Sequence, residues 1–423
     1  MPILNSIRIT NVIVTPVAFR DPPLLNAVGV HEPFALRSII EVETDAGLTG
    51  LGESYGDLGH LERLRRVGEA LRGTDVFATH QILAVTKIAL GGAVGSDGHG
   101  LTGSIDAAGT ILRTFSAYEV AALDIQGKIL GRPVSDLLGG AVRTRVPYSA
   151  YLFYKWAAHP GSEPDEFGEA LTPEDIVAQA RWMLETYGFR AIKLKGGVFE
   201  PPAEIEAVRA LRDAFPDVPL RLDPNTAWTV PTSIKVGTAL EGVLEYLEDP
   251  TPGLTGMSAV AREVSMPLAT NMCVVGFDDI PRAIAERSVG VILSDHHYWG
   301  GLRKVQDLAA ICDTFDLGLS MHSNSHLGIS LAAMTHIAAS VPNLTYALDT
   351  HWPWKSEDVI TASFIFEEGS LAVPTGPGLG VELDRDALAH LHEQYLACGV
   401  LERSDTQYMK SLQPSYDAAL PRW

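Results

Sequence analysis

Cysteine is scarce here: Cys273, Cys312 and Cys398 are the three in 423 residues, far apart and odd in number. No Cys-x-x-Cys pair exists, which argues against a zinc ribbon and a disulfide framework and leaves buried free thiols in a reducing compartment. Also missing is an apolar run of about 18 residues, the length that would cross a bilayer. The opening stretch, MPILNSIRITNVIVTPVAF, is interrupted by Asn5, Arg8, Asn11 and Pro16 and has no basic segment ahead of an apolar one. It does not read as a signal peptide, so a cytoplasmic protein is expected. Basic residues are in deficit, with 32 Lys and Arg against 52 Asp and Glu, a formal net charge of −20. With no concentrated basic patch, neither nucleic acid nor a membrane is an expected partner. An acidic ligand would need a local reversal of sign, from a divalent cation and clustered Lys, Arg and His.

Apolar residues are plentiful, at 46% of the chain, enough for a large core. The length suits a barrel plus an added module. Residues 7–19 and 36–43 and the segment after the DAGLTG turn read as an N-terminal strand meander. Helical patterning follows from about 59 and again over 111–130, and LLGG at 137–140 is a glycine stop. Eight short strand-like segments then recur: 149–153, 191–195, 220–225, 245–250, 268–271, 291–297, 319–324 and 346–352. Helical stretches separate them, and nearly all end in a polar or ionisable residue. That rhythm predicts a (β/α)8 barrel, whose C-terminal strand ends form the active-site face. Thr172 and Pro173 predict the start of the first barrel helix. The long loops 91–104 and 155–171 are expected near the site, since loops of that length are often lids or insertions. After 373–383 a further helix and a polar tail are expected.

The strand ends carry the chemistry. Asp223, Glu248 and Asn271 close three successive strands. One Asp-Pro or Glu-Asp-Pro alone reads as a turn or a cap. Three oxygen ligands in order suit octahedral Mg2+, with Mn2+ able to substitute, better than zinc. Asn225, two residues after Asp223, is a neighbouring or substrate contact. Lys193 and Lys195 in AIKLKGG share one strand face. Pointing inward, their ammonium groups repel and their pKa values should fall, making one a usable base; pointing outward, they are an exposed basic edge. Asp295 and His322 end the sixth and seventh strands, where a carboxylate fixes an imidazole's tautomer. His296, His297 and His326 compete for the same part on spacing alone.

The segments MHSNSHLGISLAAMTHIAAS, LDTHWPW, RAIKLKGGV, LRLDPNTAW, LATNM and VGVHEPFALR resemble the enolase superfamily, and within it the glucarate dehydratase subgroup, over nearly the whole chain. Asn in LATN marks that subgroup, where the superfamily commonly has a third acidic metal ligand. The resemblance implies an α/β fold: a TIM-type (β/α) barrel of the modified enolase kind, over 141–375. An α+β capping domain is expected over 1–140, with 376–423 packing back on it. It implies Mg2+ on Asp223, Glu248 and Asn271, Lys195 as one acid/base with Lys193 as its electrostatic neighbour, and the Asp295–His322 dyad opposite. Asn324 would help hold substrate or intermediate. His31, Thr110, Tyr151, Asn225 and Arg422 would contact substrate, and Arg37 is a further candidate for a distal carboxylate. The implied reaction is Mg2+-dependent dehydration of a sugar diacid, glucarate or a related aldarate; the alternative is a dehydratase or epimerase of another aldarate or an aldonate, and more remotely a non-catalytic binding paralogue. A homo-oligomer binding a small acid sugar is expected. The sequence departs from the subgroup at Tyr154, Ala35, the 155–171 connection and the tail PSYDAALPRW. These are specificity regions, so the chemistry transfers further than the substrate.

Overall fold

The computed structural model describes residues 6–96 and 104–423. Strands β1 (Ile9–Arg20), β2 (Phe34–Thr44) and β3 (Thr49–Tyr55) form an antiparallel sheet in sequence order. A helix over Ala107–Leu130 crosses β3. Its approach requires the glycines of GLGES: a Cβ at Gly52 would strike the Ala117 carbonyl, and one at Gly50 the Ala121 carbonyl. The helix starts four residues before the sequence pattern suggested. Asp106 caps it, its carboxylate accepting from Gly109 N at 2.6 Å. Of the loop expected near the site, residues 97–103 lie outside the described residues.

Seven parallel strands form the barrel sheet: β4 (Ala150–Phe153), β5 (Ile192–Lys195), β6 (Leu220–Asp223), β7 (Tyr246–Glu248), β8 (Leu268–Thr270), β9 (Val291–Ser294) and β10 (Gly318–Met321). The eighth expected strand, 346–352, forms no regular ladder. Leu348 bridges Tyr148, Ser149 N donates to Leu348 O at 2.8 Å, and Asp349 N donates to Met321 O at 3.0 Å. Those bonds close the gap between β10 and β4. The extended run stops because Trp352–Trp354, with Pro353 inside it, turns into a 3-10 helix. The helix over Pro173–Tyr187 begins as expected, with a Thr172/Asp175 capping box and Pro in its first turn.

The 155–171 connection does not line the main cavity. It is pinned from inside by Lys155, which is fully buried and donates to Trp156 O (2.8 Å), Asp165 Oδ1 (2.7 Å) and Gly168 O (2.8 Å). His159 reaches Asp21 O at 2.8 Å, tying the connection to the capping domain. Lys155→Met should therefore lower stability by about 1–3 kcal/mol, because it strands Asp165 and two carbonyls. Denaturant titration checks this; an unchanged unfolding midpoint would count against the anchoring role.

The chain ends by returning to the capping domain. A helix over Arg385–Ala397 packs on β1, and another over Asp405–Leu412 packs on Gly29–Val30. At Gly29, with φ +156°, a Cβ would strike the Asp405 carbonyl. This return brings Asp405 to the barrel mouth.

Candidate active site

Strand register assembles the first half of the site. Lys193 pairs with Tyr151, and Lys195 pairs with both Phe153 and Asp223. Ile192 and Leu194 alternate with the lysines and belong to the hydrophobic core. Lys195 Nζ donates to Asp223 Oδ2 at 2.9 Å and to Tyr151 OH at 3.1 Å. Lys193 Nζ lies 2.6 Å from Glu248 Oε2, 2.7 Å from Asp349 Oδ2 and 3.4 Å from Asp223 Oδ2. The expected fall in the Lys193 pKa is not met. Burial alone would lower it, but Asp349 and Glu248 overcome that and hold the ammonium well above its ordinary value. Lys193 is thus a fixed positive charge.

Asp223, Glu248, Asp249 and Asp349 are all completely buried, with two lysines among them. Burial, then the Asp223 charge, pushes the Glu248 carboxyl well above its usual range. Asn271 Nδ2 donates to Glu248 Oε1 at 3.1 Å, and Asn225 Nδ2 donates to Asp223 Oδ1 at 2.9 Å. Glu248 Oε2 and Asn225 Oδ1 are buried without a hydrogen bond. Four buried carboxylates against two lysines, one of which already ion-pairs with Glu248 Oε2, leave an excess of negative charge that fits a hard divalent cation held by Asp223, Glu248 and Asn271. Asp249 positions the third of these: its carboxylate accepts from Asn271 N (2.8 Å) and from Thr270 Oγ1 (2.6 Å). Asn225 and Asp249 both have left-handed backbone, φ +47° and +38°, so the chain bends sharply after two of the ligand strands.

On the other side of the barrel, His322 Nδ1 meets Asp295 Oδ2 at 3.3 Å. His297 Nδ1 meets the other oxygen, Oδ1, at 2.9 Å. Asp295, His297 and His326 each offer a ligand atom within 4.8 Å of the others, the spacing of a metal site. Chemistry argues against a cation there. Both His297 nitrogens already have partners, and the Arg37 guanidinium stands 3.1 Å from Nε2.

Lys195, His322, Asn324, Tyr151, Asn225, Asn271 and His31 line one cavity of ≈ 520 Å³ at the strand ends. Thr110 and Arg422 do not. The Thr110 hydroxyl accepts from Gly95 N and donates to Asp106 O. Arg422 Nη2 donates to Ala27 O, Asp417 O and Tyr416 OH. These internal bonds hold both side chains away from the cavity lining. Arg37 is not at the distal end either: it is buried against Glu53, with Nε to Oε1 at 2.8 Å, and reaches Asn324 Oδ1 at 3.5 Å.

Several cavity residues escaped the sequence reading. His351 comes from the closing segment and Asp405 from the supposed tail; Asn26, Asp106, Arg113 and Tyr298 complete much of the wall. His31 Nδ1 lies 3.1 Å from Asp21 Oδ2 and its Nε2 3.9 Å from Asp405 Oδ2. Arg403 pairs with both carboxylates, at 2.8 and 3.0 Å. Burial would raise the Asp21 carboxyl, but His31 and Arg403 outweigh it and hold it far below the usual range. Arg113 stacks on the Tyr55 and Tyr298 rings, 4.9 and 4.4 Å from their centroids, and brings positive charge to the wall. Asp106 carried a readable signal as a helix cap; the others depend on distant chain segments meeting.

Comparison with known proteins identifies the family. Residues 8–139 match the family described as mandelate racemase / muconate lactonizing enzyme, N-terminal domain, and residues 175–387 the one described as enolase C-terminal domain-like. A probable glucarate dehydratase from Streptomyces coelicolor is 52% identical over 99% of this chain and 100% of its own length. A D-xylonate dehydratase from Haloferax volcanii is 27% identical over 84% of this chain and 85% of its own. Among solved structures, an enolase from Mycobacterium smegmatis complexed with tartrate superposes with TM-score 0.96 at 64% identity over 100% of both chains. One from Thermobispora bispora, complexed with magnesium and formate, gives TM-score 0.97 at 61% identity over 98% of this chain and 100% of its own. With the probable glucarate dehydratase among its relatives, the chain belongs to the enolase superfamily.

Proposed function

We propose that this protein dehydrates a sugar diacid of the hexarate type, glucarate first, to a keto-deoxy acid. The observation that carries the reading is one cavity with Lys195 on one side, the Asp295–His322 pair on the other, and an oxygen ligand set at its floor. Mg2+ bound by Asp223, Glu248 and Asn271 would supply positive charge to the substrate carboxylate. Lys193, held charged, adds to that charge from below. Stabilising the enediolate is the largest demand, because α-protons of carboxylates are very weakly acidic. His322 or Lys195 removes the α-proton, depending on the configuration of that carbon. His322 then gives a proton to the departing β-hydroxyl, which leaves as water, and the enol ketonises. The named relatives, a probable glucarate dehydratase and a D-xylonate dehydratase, both support an acid-sugar hydro-lyase. The tartrate found with a 64% identical enolase supports a hydroxylated diacid. The test is a panel of aldarates and aldonates incubated with enzyme and Mg2+, read by formation of 2-keto acid. Glucarate should turn over; turnover of aldonates alone would reject the diacid reading.

The distal end gives a sharper version of that test. His31 is the imidazole there, oriented by Asp21. His31→Ala should lower kcat/KM for a diacid about 30-fold or more, the scale of a lost charge-assisted contact, and lower it far less for the matching monoacid. A wild-type preference for the monoacid, with no effect of the substitution, would make this an aldonate enzyme on the same machinery.

A further inference from the structure

The capping sheet reaches the Asp295–His322 pair through a chain of buried polar groups that the proposed chemistry does not use. Arg37 on β2 and Glu53 on β3 are paired, and their side chains are 2% and 0% exposed. Glu53 also accepts from Leu327 N and Ser330 N, both at 2.8 Å, at the start of the helix that follows the His322 strand. Arg37 Nη2 lies 3.1 Å from His297 Nε2. A guanidinium can only donate, so Nε2 must accept, and Ser330 Oγ at 3.0 Å is then a second donor to it. The ring proton of His297 must therefore sit on Nδ1, which donates to Asp295 Oδ1 at 2.9 Å. His297 N donates to the same oxygen at 2.8 Å. With Oδ1 engaged twice, Oδ2 faces His322 Nδ1 at 3.3 Å.

We propose that Arg37 and His297 are positioning residues for the base at His322, so that docking of the capping sheet sets both the tautomer and the proton affinity of that imidazole. The inference rests on the reading of His322 as a base. The physical reason is charge sharing. Each proton donated to Oδ1 draws negative charge away from Oδ2, so Asp295 stabilises an imidazolium at His322 less strongly. Take the His297 donation away, and His322 holds its proton to higher pH. Other titratable or charged groups also surround this pair. His326 Nε2 is 4.0 Å from Asp295 Oδ2, and the Tyr298 ring is 6.1 Å from that of His322. His296 stacks at 4.0 Å on His297, and His351 and Lys195 line the same cavity as His322. They stay in place in the variants below, so their contribution is common to all.

The test is titration of the His322 ring by nitrogen-15 NMR in the full-length Mg2+-loaded protein, which needs no turnover. His297→Gln places an amide near the Nε2 position, keeping the Arg37 contact and losing the side-chain donation to Asp295. His297→Asn places its amide near Nδ1 and can keep that donation. The glutamine variant should raise the His322 midpoint by about one pH unit, and the asparagine variant should leave it close to wild type. Arg37→Lys keeps the charge opposite Glu53 but withdraws Nη2. It should move the midpoint the same way by a smaller amount, and it covers the case in which His297→Gln fails to fold. Equal midpoints in all folded variants would overturn the relay, and so would equal shifts in the two amide variants. If the midpoints move as expected while His322→Asn still exchanges the α-proton normally, the relay stands and the assignment of His322 as the base falls.

Discussion

Lys195→Ala should remove solvent exchange of the α-proton in one epimer of the substrate and leave exchange in the other. His322→Asn should do the reverse and also cripple elimination. Each loss should be roughly 10³- to 10⁴-fold, the upper range for a positioned proton-transfer group. The geometry supplies the reason. β5 and β10 stand apart in the barrel, with β4 and the closing segment between them on the short way round. Both side chains nevertheless line one cavity. A planar enediolate between them can take a proton from either face, so the two variants separate the faces. Exchange followed by proton NMR in deuterated water gives the readout without needing elimination. Asp295→Asn should behave like a weaker His322 variant. His297 N and Nδ1 both donate to Oδ1, so an amide would keep its oxygen there and turn its NH2 toward His322 Nδ1. That forces the wrong imidazole tautomer. Equal loss for both epimers in only one of the two base variants would contradict a two-base site.

The parts of this site that could be read in the sequence are those the barrel places by rule. A strand's C-terminal end faces the mouth, so Lys195, Asp223, Glu248, Asn271 and His322 could be found by position. Alternation put the two lysines on one face of their strand. What alternation could not give was their environment. Lys193 meets Asp349, 156 residues away in the chain, and that contact reverses the expected shift in its pKa. The eighth strand was misjudged because Asp349, Thr350 and His351 extend like a strand in pattern but leave the ladder before Pro353. Asp405 and Arg403 were invisible because a polar tail carries no period that says where it will dock. Arg37 looked like a cation available to substrate. Only the fold shows that Glu53 and His297 already occupy it, and that His297, a competitor on spacing alone, hydrogen-bonds Asp295.

Charge at the floor of the cavity leads to the other large effect. Glu248→Gln should lower activity by about 10⁴-fold or more, if stabilising the enediolate is worth the several kcal/mol that such a cation supplies. Chelation by EDTA should do the same reversibly, with Mg2+ or Mn2+ restoring turnover. Stability gives an independent reading of the site. In the wild type, Mg2+ should raise the unfolding temperature, because it binds the folded ligand set and not the open chain. Glu248→Gln should lose most of that rise. Asn271→Asp should enlarge it. Asn271 Nδ2 donates to Glu248 Oε1 at 3.1 Å, so an aspartate there replaces a donor with a further negative charge beside Glu248. Without metal the two carboxylates repel and the fold should weaken. With metal they act together, since affinity for hard cations grows with the charge of the ligand set. The variant should thus be less stable than wild type in EDTA and show the larger Mg2+-dependent gain. An unfolding temperature indifferent to Mg2+ in the wild type, together with full activity after exhaustive chelation, would mean that the lysines alone neutralise this cluster and that the metal assignment is wrong.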